Sequence, residues 1–262
     1  MSKAFAIPER SYRADCANCP QRALCLPPGL SGQELSSIEA IVEHGSTRHN
    51  GDHIYRQGDG FTGLFAIRSG SAATYQQSAK GFEQVSGFHY SGSMLGMDGI
   101  AVNRHRASAV ALETTSICRI PFDHICRLGQ QIPALHRHVF RRLSEEIAAT
   151  QQLLMVVGKY SAELRVASLV LRISHDCQRR QLSAIRFSLP MSRQHIGNHL
   201  ALTVETVSRA LMSMHRGGIL HIESRQVTIR DMERLDHLAK GVEKRRVAPV
   251  STDQARCADI RR

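Results

Sequence analysis

Three cysteines crowd the start of the chain, where Cys16, Cys19 and Cys25 form a C-x2-C-x5-C spacing followed by LPPGL. Thiolates are soft ligands that select iron–sulfur clusters, zinc or copper(I), and three of them in one short loop can wrap a metal centre. A fourth ligand must then come from far along the chain. Cys118, in SICRIPF at the end of the last strand-like run, is the leading candidate, and Cys126, one turn further on, is the reserve. The spacing alone leaves zinc and redox thiols open beside a cluster. Cys177 and Cys257 have no cysteine neighbours and are expected to be packed or exposed thiols without a ligand role.

A second group of residues suits the edges of DNA bases. The segment SRQHIGNHLALTVETVSRALMSMHRGGIL reads as two short amphipathic helices joined near residues 201–203. Gly197 falls where crossing helices need a small residue, and Ile196, Leu200, Leu202, Val207 and Leu211 supply a shared core. Thr203 is placed to cap the second helix. On that helix Glu205, Ser208 and Arg209 sit at i, i+3 and i+4, so they share one face near its N-terminal end. An arginine can fork onto guanine O6 and N7, a glutamate can accept from a cytosine amino group, and a serine can do either. Arg193, His195, His199 and Arg216 are expected to touch phosphates, which sets register without reading sequence. His195 and His199, four residues apart, are also a possible zinc pair, but no further ligands stand near them in the sequence.

The charge agrees with a polyanionic partner. The chain's 262 residues hold 34 Lys and Arg against 23 Asp and Glu, a net +11. From Gly158 onward there are 19 basic and 10 acidic residues, so an excess of 9 lies in that part. No apolar run reaches the roughly 18 to 20 residues of a membrane helix, and the first residues lack the apolar core of a signal peptide. A cytoplasmic protein without membrane partners is expected. In that reducing compartment seven cysteines are better read as ligands or redox thiols than as a disulfide framework.

The elements that must position these residues fall into five stretches. Residues 1–29 form a cysteine-bearing segment too small to hold a core of its own. Within residues 30–130, a short helix opens on Ser31 and Glu34, which resemble a capping box. Alternating runs follow (HIYRQ, GLFAIRSG, SAATYQQ, EQVSGFHY, ASAVALE, TSICRIPF), separated by turn pairs, and indicate a β-sandwich or barrel. Residues 131–158 read as a long helix. Phe140, Leu143, Ile147, Thr150, Leu154 and Val157 fall on it at alternating steps of three and four, a seam suited to pairing with a second copy in a homodimer. Leu135 and Val139 on a neighbouring stripe can pack it onto its own barrel. Residues 159–240 read as a winged helix-turn-helix, with helices at 162–173, 191–200 and 204–215 followed by two strand-like runs, ILHI and QVTI. Residues 241–262 are polar and basic without apolar periodicity, and disorder is expected there.

The chain resembles the CRP/FNR superfamily and, within it, the FNR-type anaerobic regulators. The likeness runs from about Cys16 to Met232 and is carried by CANCPQRALCLP, LFAIRSG, EQVSGFHYSG, ALETTSICRIPF and IGNHLALTVETVSRAL. The resemblance implies an α+β chain: a cyclic-nucleotide-binding-like double-stranded β-helix (jelly roll), a long dimerisation helix and a C-terminal winged helix-turn-helix. It also implies a 4Fe-4S cluster on Cys16, Cys19, Cys25 and Cys118, and half-sites of the TTGAT type read by Glu205, Ser208 and Arg209. In that family the cluster-bearing dimer binds a palindromic promoter site, and oxygen attack on the cluster releases DNA. RNA polymerase is a further partner the resemblance implies, through a surface around residues 80–83.

Three positions depart from the family pattern. Cyclic-nucleotide relatives use a Glu and an Arg in the loop matching GSMLGMDGIAVNRHRAS. Here Met97 stands at the Glu position and Arg106 is about one residue out of register, so no cyclic nucleotide is expected. Thr150 occupies a seam position where close relatives often carry an acidic residue. Two other readings compete with the oxygen-responsive regulator. One is a regulator of the same fold whose cysteines bind zinc or act as redox thiols. The other, an iron–sulfur enzyme or electron carrier, is opposed by the missing phosphate loop, HExxH pair and nucleophile elbow.

Overall fold

The structure, a computed structural model, describes residues 15–241. The C-terminal tail expected to be disordered lies outside the described residues from position 242 on. A one-turn helix α1 (Arg22–Cys25) leads into α2 (Gly32–Ile41). The capping box forms as its sequence suggests: the Ser31 hydroxyl accepts from Glu34 N–H at 3.2 Å, and the Glu34 carboxylate accepts from Ser31 N–H at 2.7 Å.

The alternating runs become strands β2 (His53–Tyr55), β3 (Gly63–Ser69), β4 (Ser71–Gln77), β5 (Glu83–Tyr90), β7 (Ser108–Ala111) and β8 (Thr115–Pro121). Two further strands complete the domain, β1 (Glu43–Arg48) and the short β6 (Met94–Leu95). Two antiparallel sheets result, ordered β1-β8-β3-β6 and β2-β7-β4-β5, and the chain passes repeatedly between them. This is the double-stranded β-helix expected. Ile54, Tyr55, Ala72 and Ala109 of one sheet meet Phe65, Ile67, Leu95 and Ile117 of the other in the roll's core. Each large apolar side chain buried there contributes about 1.5–3 kcal/mol.

After α3 (Phe122–Gln131), Pro133 occupies the first turn of α4 (Pro133–Lys159). A proline ends the preceding helix and is pre-set for the first turn of the next, so the chain turns there. Leu135 and Val139 of α4 are buried with Leu26, Leu35, Ile38, Ile120 and Ile125, a core that binds the N-terminal segment to the roll and to α4. Phe140, Ile147 and Leu154 are 69%, 58% and 69% exposed in the single chain.

The C-terminal domain comprises α5 (Ala162–Arg179), β9 (Arg186–Ser188), α6 (Arg193–Leu200), α7 (Val204–Arg216), β10 (Leu220–Glu223), β11 (Gln226–Ile229) and α8 (Met232–Ala239). Its three-stranded sheet, ordered β10-β11-β9, is the wing. Side-chain caps start four of its helices: Ser161, Ser192, Thr203 and Asp231 each accept a backbone N–H of the first turn. Helix α5 runs a turn and a half beyond the expected end, because Ser174 and Cys177 continue its buried face. Among the described residues no helix is long and apolar enough to cross a membrane.

Candidate functional site

The exposed face of α7 carries the candidate base readers. Thr203 caps the helix by accepting from Thr206 N–H at 3.2 Å, and Val207, Ala210, Leu211 and Met214 point into the domain core. That phase leaves Glu205, Ser208 and Arg209 exposed together. The Glu205 carboxyl is held below its ordinary range by its own backbone N–H, the Thr203 hydroxyl and the Arg209 charge. Arg209 rests one guanidinium nitrogen 3.3 Å from the Thr206 hydroxyl, its other nitrogens being open to solvent. Arg216 is exposed in the last turn. The turn between α6 and α7 needs Gly197, since a Cβ there would lie 2.6 Å from the Leu202 carbonyl oxygen. The small residue therefore accommodates the turn itself, where the spacing had suggested a helix crossing.

The candidate phosphate contacts divide. Arg193 and His195 are half-buried, and burial lowers the basicity of both. The buried Nδ1 of His195 has no hydrogen-bond partner among the described residues. His199 must be corrected: at 1% exposure it cannot reach a phosphate. Its Nδ1 donates to the Val85 carbonyl of β5 at 3.0 Å, its Nε2 accepts from Arg172 at 2.9 Å, and its ring lies 4.9 Å from that of Phe88. Beside it the Gln84 amide donates to the Asn198 carbonyl at 2.6 Å. His199 thus fastens the DNA-binding domain to the roll. Burial, with the Arg172 charge behind it, pushes its pKa down to about 3. The signal was present in the helical phase, since His199 follows the buried Ile196 by one turn.

On the roll, Cys16, Cys19, Cys25 and Cys118 line a single recess of about 30 Å³, walled by Leu26, Val42, Ile67 and Ile120. Three come from α1 and its approach. Cys118 comes from β8, an inner strand of its sheet, opposite Ala66 of β3. Cys126 is exposed on α3 and does not line the recess, while Cys177 is buried in the C-terminal domain. The Glu39 carboxylate of α2 accepts from the backbone N–H groups of Cys16 and Ala17 and so fixes where the cysteine segment begins.

Burial, together with the neighbouring Glu39 and thiols, pushes the Cys16 thiol up to about 12. Burial and the other three cysteines do the same to Cys25, up to about 12, against the opposing charge of Arg142. Cys118 is also raised by burial and by Cys19. Thiolates lining one recess repel one another unless positive charge sits among them, and four soft donors around an apolar pocket suit a multi-iron sulfur centre more than a single ion. Among the described residues no set of three or more ligand side chains is arranged to hold one metal ion.

The comparisons with known proteins match both folded domains. The Crp-like helix-turn-helix domain matches residues 164–238, and the cyclic nucleotide-binding domain matches residues 48–131. The transcriptional activator protein anr of Pseudomonas aeruginosa is 38% identical over 239 residues, covering 91% of this chain and 96% of its own length. The chain belongs to the CRP/FNR family of anaerobic regulators. The fumarate and nitrate reduction regulatory protein of Yersinia pestis is 36% identical over 233 residues, 89% of this chain and 93% of that one. The structure of FixK2 from Bradyrhizobium japonicum superposes with a TM-score of 0.68 at 27% identity, over 74% of this chain and 96% of the other. As a CRP/FNR-type regulator the chain is no enzyme, and it binds DNA through its helix-turn-helix.

One loop of the cyclic nucleotide-binding domain carries its own anion. The Asp98 carboxylate accepts backbone N–H groups from Arg106 at 2.7 Å and Ala107 at 3.0 Å, with His105 Nδ1 3.5 Å away. Burial raises the Asp98 pKa, but these three partners outweigh it and hold the carboxyl below its ordinary value. His105 is buried and stacks on Tyr55 with ring centroids 3.8 Å apart.

Proposed function

We propose that this regulator is oxygen-responsive: a homodimer that grips a palindromic site of the TTGAT type while Cys16, Cys19, Cys25 and Cys118 hold a 4Fe-4S cluster. The observation that carries the reading is the meeting of those four sulfurs in one recess. When bound, the cluster supplies iron–sulfide chemistry that oxygen can attack, and positive charge that lets four thiolates share the recess. The chain's own residues do the rest. Leu26, Val42, Ile67 and Ile120 shield the sulfurs from water. Cys118 offers a rigid anchor inside a sheet, and the other three lie on a short segment fastened at one end by Glu39. Loss of that anchorage frees the segment from the core it shares with α4.

Along α4, Phe140, Leu143, Ile147, Thr150, Leu154 and Val157 form the pairing seam. Its two-fold symmetry presents two α7 helices to two half-sites. Glu205, Ser208 and Arg209 read base edges, and Arg193, His195, Thr203 and Arg216 touch the backbone. The tip of the β4–β5 hairpin at residues 80–83, where Phe82 is 74% exposed, is the surface offered to RNA polymerase.

Anaerobic iron and sulfide analysis, with a visible spectrum and DNA-binding anisotropy, tests the reading on the wild type beside Cys118→Ala and Cys126→Ala. The wild type and Cys126→Ala are expected to be coloured and to bind the palindrome, and Cys118→Ala to lose both properties. A colourless wild type that binds DNA equally well without its cysteines would overturn the sensing role. Iron kept in Cys118→Ala and lost in Cys126→Ala would overturn the ligand assignment.

A further inference from the structure

The cysteine segment and the long helix are joined by one side chain. Leu24 lies in α1, next to Cys25, and its backbone carbonyl accepts from the guanidinium of Arg142 on α4. The Arg142 side chain is only 12% exposed, and its second anchor is Glu145, 2.9 Å away on the same helix. Its buried Nε has no partner among the described residues. A largely buried guanidinium with so few partners depends on each of them, because an unpaired buried charge is costly. Losing the Leu24 carbonyl leaves Arg142 with only Glu145 and drives the side chain toward water.

The position of the Leu24 carbonyl is itself fixed. Gly92, in the turn between β5 and β6 with φ at +85°, lies so close that a Cβ there would fall 2.7 Å from the Leu24 Cβ. One turn before Arg142, the buried His138 accepts from Arg141 at 2.9 Å and lies against the Cys25 backbone. Beyond Arg142, a recess of about 70 Å³ is shared by Leu24, Arg142, the α5 residues Asp176 and Arg179, and Arg180, which follows the helix. The Arg180 guanidinium stacks 4.4 Å above the Tyr90 ring of β5. The cysteine segment, α4 and the first helix of the DNA-binding domain therefore border one recess that Arg142 lines. Leu143, the next residue along, belongs to the pairing seam.

We propose that Arg142 is the positioning residue that transmits the state of the cysteine segment to α4, its grip on the Leu24 carbonyl holding the seam and α5 in the DNA-binding arrangement. This rests on the cluster-bearing reading above. It assigns the coupling to a side-chain tie, where contact between the apolar surfaces of segment and helix would be the alternative. Loosening α1 would release Arg142, and the seam and α5 would both lose their reference point.

The test measures palindrome affinity by anisotropy for cluster-loaded and cluster-free full-length protein, scored per iron-loaded chain, with sedimentation recording the oligomer. In the wild type the loaded form should bind more tightly by a factor in the range of about 5–150 that coupled sites usually show. Arg142→Leu is expected to bind iron with an unchanged visible spectrum, yet to bring that ratio to within about threefold of one, below the usual coupling range. Arg142→Lys, which can still donate to the Leu24 carbonyl, should recover most of it. Gly92→Ala leaves Arg142 intact but pushes Leu24 aside, and should lose the ratio as well. It decides the matter if Arg142→Leu fails to fold. A wild-type ratio retained in Arg142→Leu, or in Gly92→Ala where the first variant does not fold, would overturn the proposal. A wild type that binds no iron, or shows no ratio, would instead sink the cluster reading on which it rests.

Discussion

Acid should loosen the seam that His199 makes between the DNA-binding domain and the roll. The folded ring is neutral, with a pKa pushed down to about 3, whereas in the unfolded chain it takes up a proton near its ordinary value of about 6.5. Between these two values the unfolded state binds more protons, so stability rises with pH across the window. The contribution is fully present above the unfolded value and is lost progressively as pH falls toward the folded one. Each unit is worth about 1.4 kcal/mol, so moving from pH 7 to pH 5 removes about 2 kcal/mol through this one group. His199→Gln retains an amide that can donate to the Val85 carbonyl and accept from Arg172, without the titration. Urea unfolding followed by far-UV circular dichroism at the two pH values gives the comparison. His138, whose pKa is also lowered by burial, is present in both proteins and cancels, whereas His89, whose charge acts on His199, is changed to Gln in both proteins so that it does not enter the difference. The wild type should lose about 2 kcal/mol more than the variant. Equal losses would refute a buried, neutral His199 at this junction.

Arg209→Ala should cut discrimination between the palindrome and a site with one substituted guanine by about 1–3 kcal/mol, whereas Arg216→Ala should weaken binding to both and flatten the salt dependence by about one phosphate contact; competition anisotropy across a salt series separates the two. Ile147→Glu puts a charge on the exposed stripe of α4 and should give a monomer by sedimentation, while the cluster-free wild type, whose exposed Thr150 adds no like charge to that stripe, should retain a dimer fraction; a cluster-free wild type that is wholly monomeric would reject that role for Thr150.

The sequence exposed those parts of the fold in which neighbouring residues already carry the physics. The alternating runs of the roll, the Ser31–Glu34 box and the cap at Thr203 depend on local spacing, and each stands where the pattern suggested. Strand β1 did not announce itself because EHGSTR carries no apolar alternation, and it pairs along only one edge, with β8. Strand β9 contributes one buried residue, Phe187, and so lacks a period to detect. His199 differs from its expected phosphate role because the residue type suits phosphate while its helical phase points inward. The tie between Arg142 and Leu24 joins a side chain to a main-chain carbonyl distant in the chain, and main-chain acceptors leave no trace in residue identity. Three of the four cysteines were visible as a cluster, but that Cys118 faces them depends on the register of β8 against β3.

The Asp98 carboxylate, held by the Arg106 and Ala107 N–H groups, gives the roll the character of a lock with its key moulded into the barrel. Any free anion seeking those two donors competes with a rival tethered a few bonds away, whose effective concentration is of the millimolar order or higher. A small anionic metabolite entering this loop is therefore expected to find both donors already taken.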